Sequence, residues 1–247
     1  MYNNIDPVGD PMLRREEDDG ITRLGYQNAH TTTMGQGLDV AHEIEVTAEL
    51  GVDVQGFSEI NKPWTASNKW QYNYEMNLMF QNSHTVYSGM PAEHDCTWQP
   101  GGNLMTVNGP TAGRIVESDT DKWGRFCWFT MRGGRDEGVL VITAYRVCHE
   151  ACDNPGPYTA YTQQHTAMRA AGMDKPRPRQ QVLDDILKLI EKKRLEGFRP
   201  ILMMDANGDY RYEKDMDKQL GAFISKANLA DPYADRFPDA IKTYLYG

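Results

Sequence analysis

The sequence predicts an α/β sandwich, two stacked β-sheets flanked by helices. Two apolar runs, Val139–Ala144 and Ile201–Met204, read as strands buried on both faces. Segments with helical spacing of apolar residues alternate with strand candidates along the chain. Shorter strand candidates between residues 103 and 131 are separated by glycine-rich turns. No internal repeat or linker interrupts this pattern. One domain is therefore expected over residues 21–247, after a polar tail, 1–20, that carries Arg14-Arg15-Glu16-Glu17-Asp18-Asp19.

Ile21–Tyr26 reads as a first strand, followed by the polar stretch 27–33. Leu38, Ala41, Ile44, Ala48 and Leu50 recur at roughly helical spacing, and Gly51 stands where a C-terminal cap belongs. Val52–Phe57 returns to a strand that ends at Ser58-Glu59. Trp64–Phe80 is expected to be helical, with Trp70, Tyr74 and Leu78 forming its core-facing stripe. Asn103–Val107, Arg114–Glu117 and Phe126–Met131 are short strand candidates. The buried run from Val139 ends in Tyr145-Arg146. A helix over about 179–195 turns Val182, Leu183, Ile186, Leu187 and Ile190 inward and stops before Gly197. The strand ending at Asp205 follows, then a helix over about 214–227 with Met216, Leu220, Phe223 and Ile224 inward.

Composition narrows the function classes. The 247 residues are 40% hydrophobic and 25% charged, as in a folded globular chain. A net charge of −9 argues against generic electrostatic binding to nucleic acid. It leaves room for a nuclease, because carboxylates bind divalent metal and phosphate then binds the metal. No apolar stretch approaches the roughly 20 residues needed to span a bilayer. No signal peptide is seen, and the irregularly spaced Cys96, Cys127, Cys148 and Cys152 read as free thiols, so an intracellular setting is expected. Cys148 and Cys152 with His94 and His149 could be drawn into a zinc site, but the spacing matches no common pattern. Arg125, Arg132 and Arg146 are read as scattered solvent-facing arginines.

The most informative segment is Arg199–Asn207, where a strand delivers Asp205 and Asn207 at its end. If strand geometry persists, the two side chains point the same way and set a carboxylate beside a carboxamide. The plain alternative is a strand end whose Asp and Asn serve the following turn. Asn28, Glu59 and Tyr145 likewise each close a strand candidate.

Five segments, Gly25-Tyr26-Gln27-Asn28, Val52–Glu59, Gly101–Val107, Thr143-Ala144-Tyr145 and Met204-Asp205-Ala206-Asn207, together resemble the endonuclease/exonuclease/phosphatase superfamily. The resemblance runs from about Ile21 to the last residue. It implies a four-layer sandwich and a phosphodiester hydrolase dependent on Mg²⁺, or Mn²⁺ in its place. In it Glu59 holds the metal, Asn28 orients the metal site or a phosphate oxygen, Asp205 positions or deprotonates the attacking water, and Asn207 bonds the phosphate. Tyr145 stands where the branch resembling abasic endonucleases and LINE-type retrotransposon endonucleases has tyrosine and the pancreatic deoxyribonuclease and inositol-phosphatase branches have histidine. The expected partner is accordingly DNA or another phosphodiester. A phosphatase or phospholipase of the same superfamily and an inactive fragment are the alternatives.

Three departures stand against the family pattern. His30 occupies the place of a second acid, and imidazole is a poor Mg²⁺ ligand. Nothing around Cys148 reproduces the asparagine after the tyrosine. The chain stops at Lys242–Gly247, before the family's final Asp and His, which implies a C-terminal truncation, an exposed sheet edge and feeble catalysis.

Overall fold

A computed structural model describes residues 21–29, 38–90, 99–133, 137–148, 156, 158–210 and 217–236. The elements are β1 (Leu24–Asn28), α1 (Leu38–Glu49), β2 (Val54–Ser58), α2 (Ala66–Met79), β3 (Ser83–Ser88), β4 (Asn103–Asn108) and a 3₁₀ turn (Gly109–Arg114). They continue with β5 (Ile115–Thr120), β6 (Phe126–Arg132), β7 (Gly138–Tyr145), α3 (Ala160–Ala170), α4 (Pro178–Leu195), β8 (Phe198–Asp205), α5 (Lys218–Lys226) and α6 (Pro232–Arg236). The expected polar tail, His30, Cys96, Cys152, His94, His149, Met216 and the last segment lie outside the described residues.

The strands form two four-stranded mixed sheets, ordered β1-β2-β4-β3 and β5-β6-β7-β8. Within the first, β1 and β2 are parallel. Within the second, β7 and β8 are parallel. Three apolar layers follow from the two-residue alternation of side chains along each strand. Val54, Met105, Val107, Cys127, Phe129, Met131 and Val141 fill the space between the sheets. Their neighbours Phe57 and Leu104 face outward to Val40 and Ile44 of α1 and Tyr72 and Met76 of α2. On the other side, Trp128, Leu140 and Ile142 pack against Val182, Leu183, Ile186 and Ile190 of α4 and Leu220 and Phe223 of α5. The result is the α/β sandwich expected from sequence, with helices on both outer faces.

The structure differs from the sequence expectations at five points. The stripe Trp70, Tyr74 and Leu78 is not core: these residues are 67%, 49% and 63% exposed. The buried face of α2 is Tyr72 and Met76, locked in phase by the Tyr72 hydroxyl, 3.1 Å from Thr106 Oγ1. Trp70 and Tyr74 instead stack on one another outside, 5.4 Å between centroids.

The strand of Ile201–Met204 is not buried on both faces. It is the edge of its sheet, with Ile201 38% exposed, and Pro200, which has no N–H to donate, fits an edge strand. β3 was not expected, because Ser83–Ser88 is polar and gives no apolar run. It nevertheless pairs along its whole length with β4. α3 was also missed. Its start is a capping device, the Thr159 side chain accepting from the Thr162 N–H at 3.2 Å.

Finally, Arg125 and Arg146 do not face solvent. They are 1% and 0% exposed, and Arg125 is paired with Asp121 and Asp185 at 2.7 and 2.6 Å.

Candidate active site

The topology brings four strand ends to one rim. Because β1 and β2 are parallel and in register, with Asn28 opposite Ser58, both deliver their carboxyl ends together. Tyr145 and Asp205 are register partners at the ends of parallel β7 and β8. Under this rim the sheets are tied by Tyr26, whose hydroxyl donates to Ser58 Oγ at 2.8 Å and to the Ala144 carbonyl at 3.3 Å. Chain ends of parallel strands are where open α/β sheets place their ligands.

The Asn28 side-chain nitrogen donates to Glu59 Oε2 at 2.8 Å and to Asp205 Oδ2 at 2.7 Å. The Tyr145 hydroxyl donates to Glu59 Oε1 at 2.7 Å. Four side chains at the ends of four strands, Glu59 one residue past β2, thus form one chain of bonds, Tyr145–Glu59–Asn28–Asp205. Asn28 is exposed, Glu59 and Asp205 are half-buried, and Tyr145 is buried. The cluster opens to solvent.

Glu59 owes its direction to a tight turn. It sits at φ 53° and Asn61 at φ 55°, a left-handed backbone that side chains adopt rarely. Such conformations carry of order 1–3 kcal/mol of strain each and persist only when their surroundings enforce them. Here Asn61 enforces it. Its N–H donates to the Gly101 carbonyl at 2.8 Å, and its side-chain oxygen accepts from the Gly101 N–H at 2.7 Å.

Electrostatics mark Asp205 as crowded. Burial lifts the Asp205 carboxyl above the ordinary carboxylate range, and the negative charge of Glu59 adds to the lift. The Asn207 N–H, the Asn28 amide and the charge of Arg179 oppose it. Burial likewise raises the Tyr145 phenol, with Glu59 adding to it, so this hydroxyl stays a donor.

Asn207 departs from the expected geometry. The strand stops at Asp205, and Asn207 turns to φ 43°, so strand alternation does not set its direction. Its N–H donates to Asp205 Oδ1 at 3.1 Å, and its side-chain nitrogen donates to the Arg146 carbonyl at 2.8 Å. The residue lies beside Asp205 as a turn former, with one amide hydrogen committed to the scaffold.

Among the described residues no group of three or more His, Cys, Asp or Glu side chains is placed to hold a metal ion by itself. Two carboxylates sharing one amide donor, one with its ionisation opposed by the other, do fit a hard divalent cation. Mg²⁺ is usually bound by one or two carboxylates and keeps several waters.

Sequence reasoning missed the buried groups behind Asp205. Arg146 and Arg179 both pair with Asp217 Oδ2, at 2.6 and 2.7 Å. Their one legible trace was a charged residue, Arg146, directly after a largely apolar strand.

No protein-family model matches the chain, and no curated protein matches it by sequence. Solved structures do resemble it. An AP endonuclease from Archaeoglobus fulgidus superposes with a TM-score of 0.52 at 10% identity, over 89% of this chain and 76% of that one. The 3′ phosphatase NExo from Neisseria, bound to a product DNA hairpin, gives 0.51 at 12% identity, over 84% and 70%. At these identities the likeness is one of fold.

Proposed function

From the fold of the endonuclease/exonuclease/phosphatase superfamily, which this chain has, we propose that it hydrolyses phosphodiesters and that DNA is its substrate. The observation that carries the reading is the single Asn28 nitrogen joining Glu59 and Asp205 across the two sheets. Two acids held apart by one neutral donor can divide the work of hydrolysis. Asp205, its carboxyl raised above the ordinary value by burial and so made more basic, takes the proton of the attacking water. Glu59, with Asp205 beside it, would hold the divalent cation, Mg²⁺ or Mn²⁺, which when bound supplies positive charge to the phosphate oxygens.

Asn28 keeps both carboxylates aimed at one point, so the acids need not reorganise during reaction. Tyr145 fixes Glu59 through a neutral hydroxyl. Asn207 offers the second hydrogen of its amide to a phosphate oxygen, the first being held by Arg146. Tyrosine rather than histidine at position 145 favours DNA cleavage. The net charge of −9 favours the second reading, a phosphatase or phospholipase acting on a small or lipid phosphoester.

Supercoiled plasmid, abasic duplex and an inositol phosphate, each with Mg²⁺, separate these. The expected result is nicking of DNA that falls about 10²-fold or more in Glu59→Gln and in Asp205→Asn while both remain folded. Hydrolysis confined to the inositol phosphate selects the second reading. Variants as active as the parent chain overturn the site.

A further inference from the structure

Directly behind the rim, two buried arginines converge on one carboxylate oxygen. Arg146 and Arg179 donate to Asp217 Oδ2 at 2.6 and 2.7 Å, and neither arginine is more than 8% exposed. Asp217 Oδ1 meanwhile caps α5, accepting the N–H groups of Gln219 and Leu220 at 3.1 and 3.0 Å. Burial opposes its charge, but the arginines and the capping N–H hold the carboxyl well below the usual range. Asp217 therefore stays ionised between the two arginines.

Several of the arginines' other donors end on the backbone around Asp205, while Arg146 Nη2 reaches Gln219 Oε1 at 3.5 Å. Arg146 Nη1 reaches the Ala206 carbonyl at 3.2 Å, and Arg179 Nη2 reaches the Asn207 carbonyl at 2.5 Å. Arg179 Nη1 binds the Val147 carbonyl at 2.6 Å, and Arg146 Nε binds the Arg179 carbonyl at 3.0 Å. The main chain of Arg146 completes the grip: its N–H donates to the Asp205 carbonyl at 2.9 Å, and its carbonyl accepts the Asn207 amide. Each carbonyl of the turn Asp205-Ala206-Asn207 is thus held by one of these two residues. There is no room for a side chain at the next position, because a Cβ on Gly208 would lie 2.8 Å from Asp217 Oδ2 and 2.9 Å from Arg179 Nη2.

We propose that Arg146, Arg179 and Asp217 are positioning residues, a buried clamp that fixes the turn carrying Asp205 and Asn207 in its reactive geometry. The proposal rests on the phosphodiesterase reading for its consequence in rate, and on the contacts alone for its consequence in order. Two charged forks locking two successive carbonyls, with the Arg146 N–H on a third, do more than stabilise a fold. A neutral side chain could fill the same volume, but it could not specify the direction of the turn. A misplacement near 1 Å at a reacting group can lower rate by about 10²-fold.

The test uses the full chain with Arg179→Lys, which keeps the charge but not the planar fork, and Arg179→Met, which keeps neither. Two readouts are taken on folded protein: kcat and KM on bis(p-nitrophenyl) phosphate with Mg²⁺, and amide hydrogen exchange across residues 198–210. The expected result for Arg179→Lys is a kcat lowered about tenfold or more with KM within about threefold, and exchange at 206–208 accelerated while β7 exchanges as in the parent. Arg179→Met shifts both further. Parent-like kcat and exchange in both variants overturn the clamp, as does a rate loss that only tracks the unfolded fraction. If the parent chain turns over no phosphodiester, the hydrolase reading fails and the exchange result alone decides the clamp.

Discussion

Asn28 and Asp205 meet across the gap between the two sheets, the amide of one donating to the carboxylate of the other at 2.7 Å. One closes the edge strand of the first sheet and the other closes the edge strand of the second. The contact is therefore sensitive to how the sheets are stacked, and it places a neutral donor where charge would otherwise repel charge.

Removing that donor has a signed consequence for pH dependence. The Asn28 bond lowers an Asp205 pKa that burial and Glu59 raise. Asn28→Leu lifts it further, so more of the carboxylate is protonated at a given pH. Activity that needs ionised Asp205 falls as pH drops through its pKa, and in Asn28→Leu this acidic limb moves to higher pH. The profile of kcat/KM against pH checks it, and a loss of about tenfold at pH 7 is expected.

Asp205 itself is predicted to be a stability cost. An acid whose folded pKa is raised binds its proton more tightly in the folded state. Its contribution is most favourable below the ordinary carboxylate pKa of about 3.9 and is lost as pH rises through the folded value. Asp205→Asn keeps an acceptor for the Asn207 N–H and removes the charge beside Glu59. It is expected to melt higher than the parent at pH 7, with the difference closing near pH 3. Thermal unfolding at both pH values measures this.

Asp217 carries the opposite sign. Its folded pKa lies well below the ordinary value, so its stabilisation is present above about pH 4 and is lost as pH falls toward the folded pKa. Asp217→Ala leaves two buried guanidinium groups without their shared partner, and breaking such a pair costs about 3–5 kcal/mol. Denaturant unfolding should show that deficit at pH 7 and a smaller one below pH 4.

The legible part of this fold was what strand ends and long apolar runs encode. Glu59, Tyr145 and Asp205 could be placed because each stands at the end of a short strand-like run that shows where the strand stops. Helix phase was less legible. Trp70, Tyr74 and Leu78 form a better apolar stripe than Tyr72 and Met76, yet the sheet selects the latter through one hydroxyl contact to Thr106. β3 was hidden because Ser83–Ser88 gains its pairing from β4 and not from its own composition. The direction of Asn207 was hidden because a turn residue at positive φ abandons the alternation that strand reading assumes. The buried arginines were hidden because burial of a charge depends on a partner distant in sequence, as Arg146 on Asp217.

Helix phase gives a direct test. Met76 is 1% exposed and packs with Phe57 and Leu104, so Met76→Ala should cost about 2–5 kcal/mol. Trp70, 67% exposed, should cost within about 0.5 kcal/mol on replacement by Ala, plus the modest loss of its stacking on Tyr74. Denaturant midpoints of the two variants in the opposite order would reverse the assigned face.

The closeness of the sheets depends on Gly56 in β2. A Cβ there would lie 2.4 Å from Thr143 Oγ1 and 2.9 Å from Met203 Cε, atoms of β7 and β8 in the facing sheet. Met203 is flexible at its tip, but Thr143 is fully buried and branched at Cβ, so it has little freedom to yield. Gly56→Ala should therefore push β2 away from β7 at a cost of about 1–3 kcal/mol. Because Glu59 lies three residues further on, the same displacement should loosen its bond to Tyr145 and lower activity more than the stability loss alone accounts for. Removing the obstruction with Thr143→Ala in the Gly56→Ala background should restore both. A coupling of about 0.5–3 kcal/mol in the double-mutant cycle is expected, and additive effects would show that the two residues do not meet.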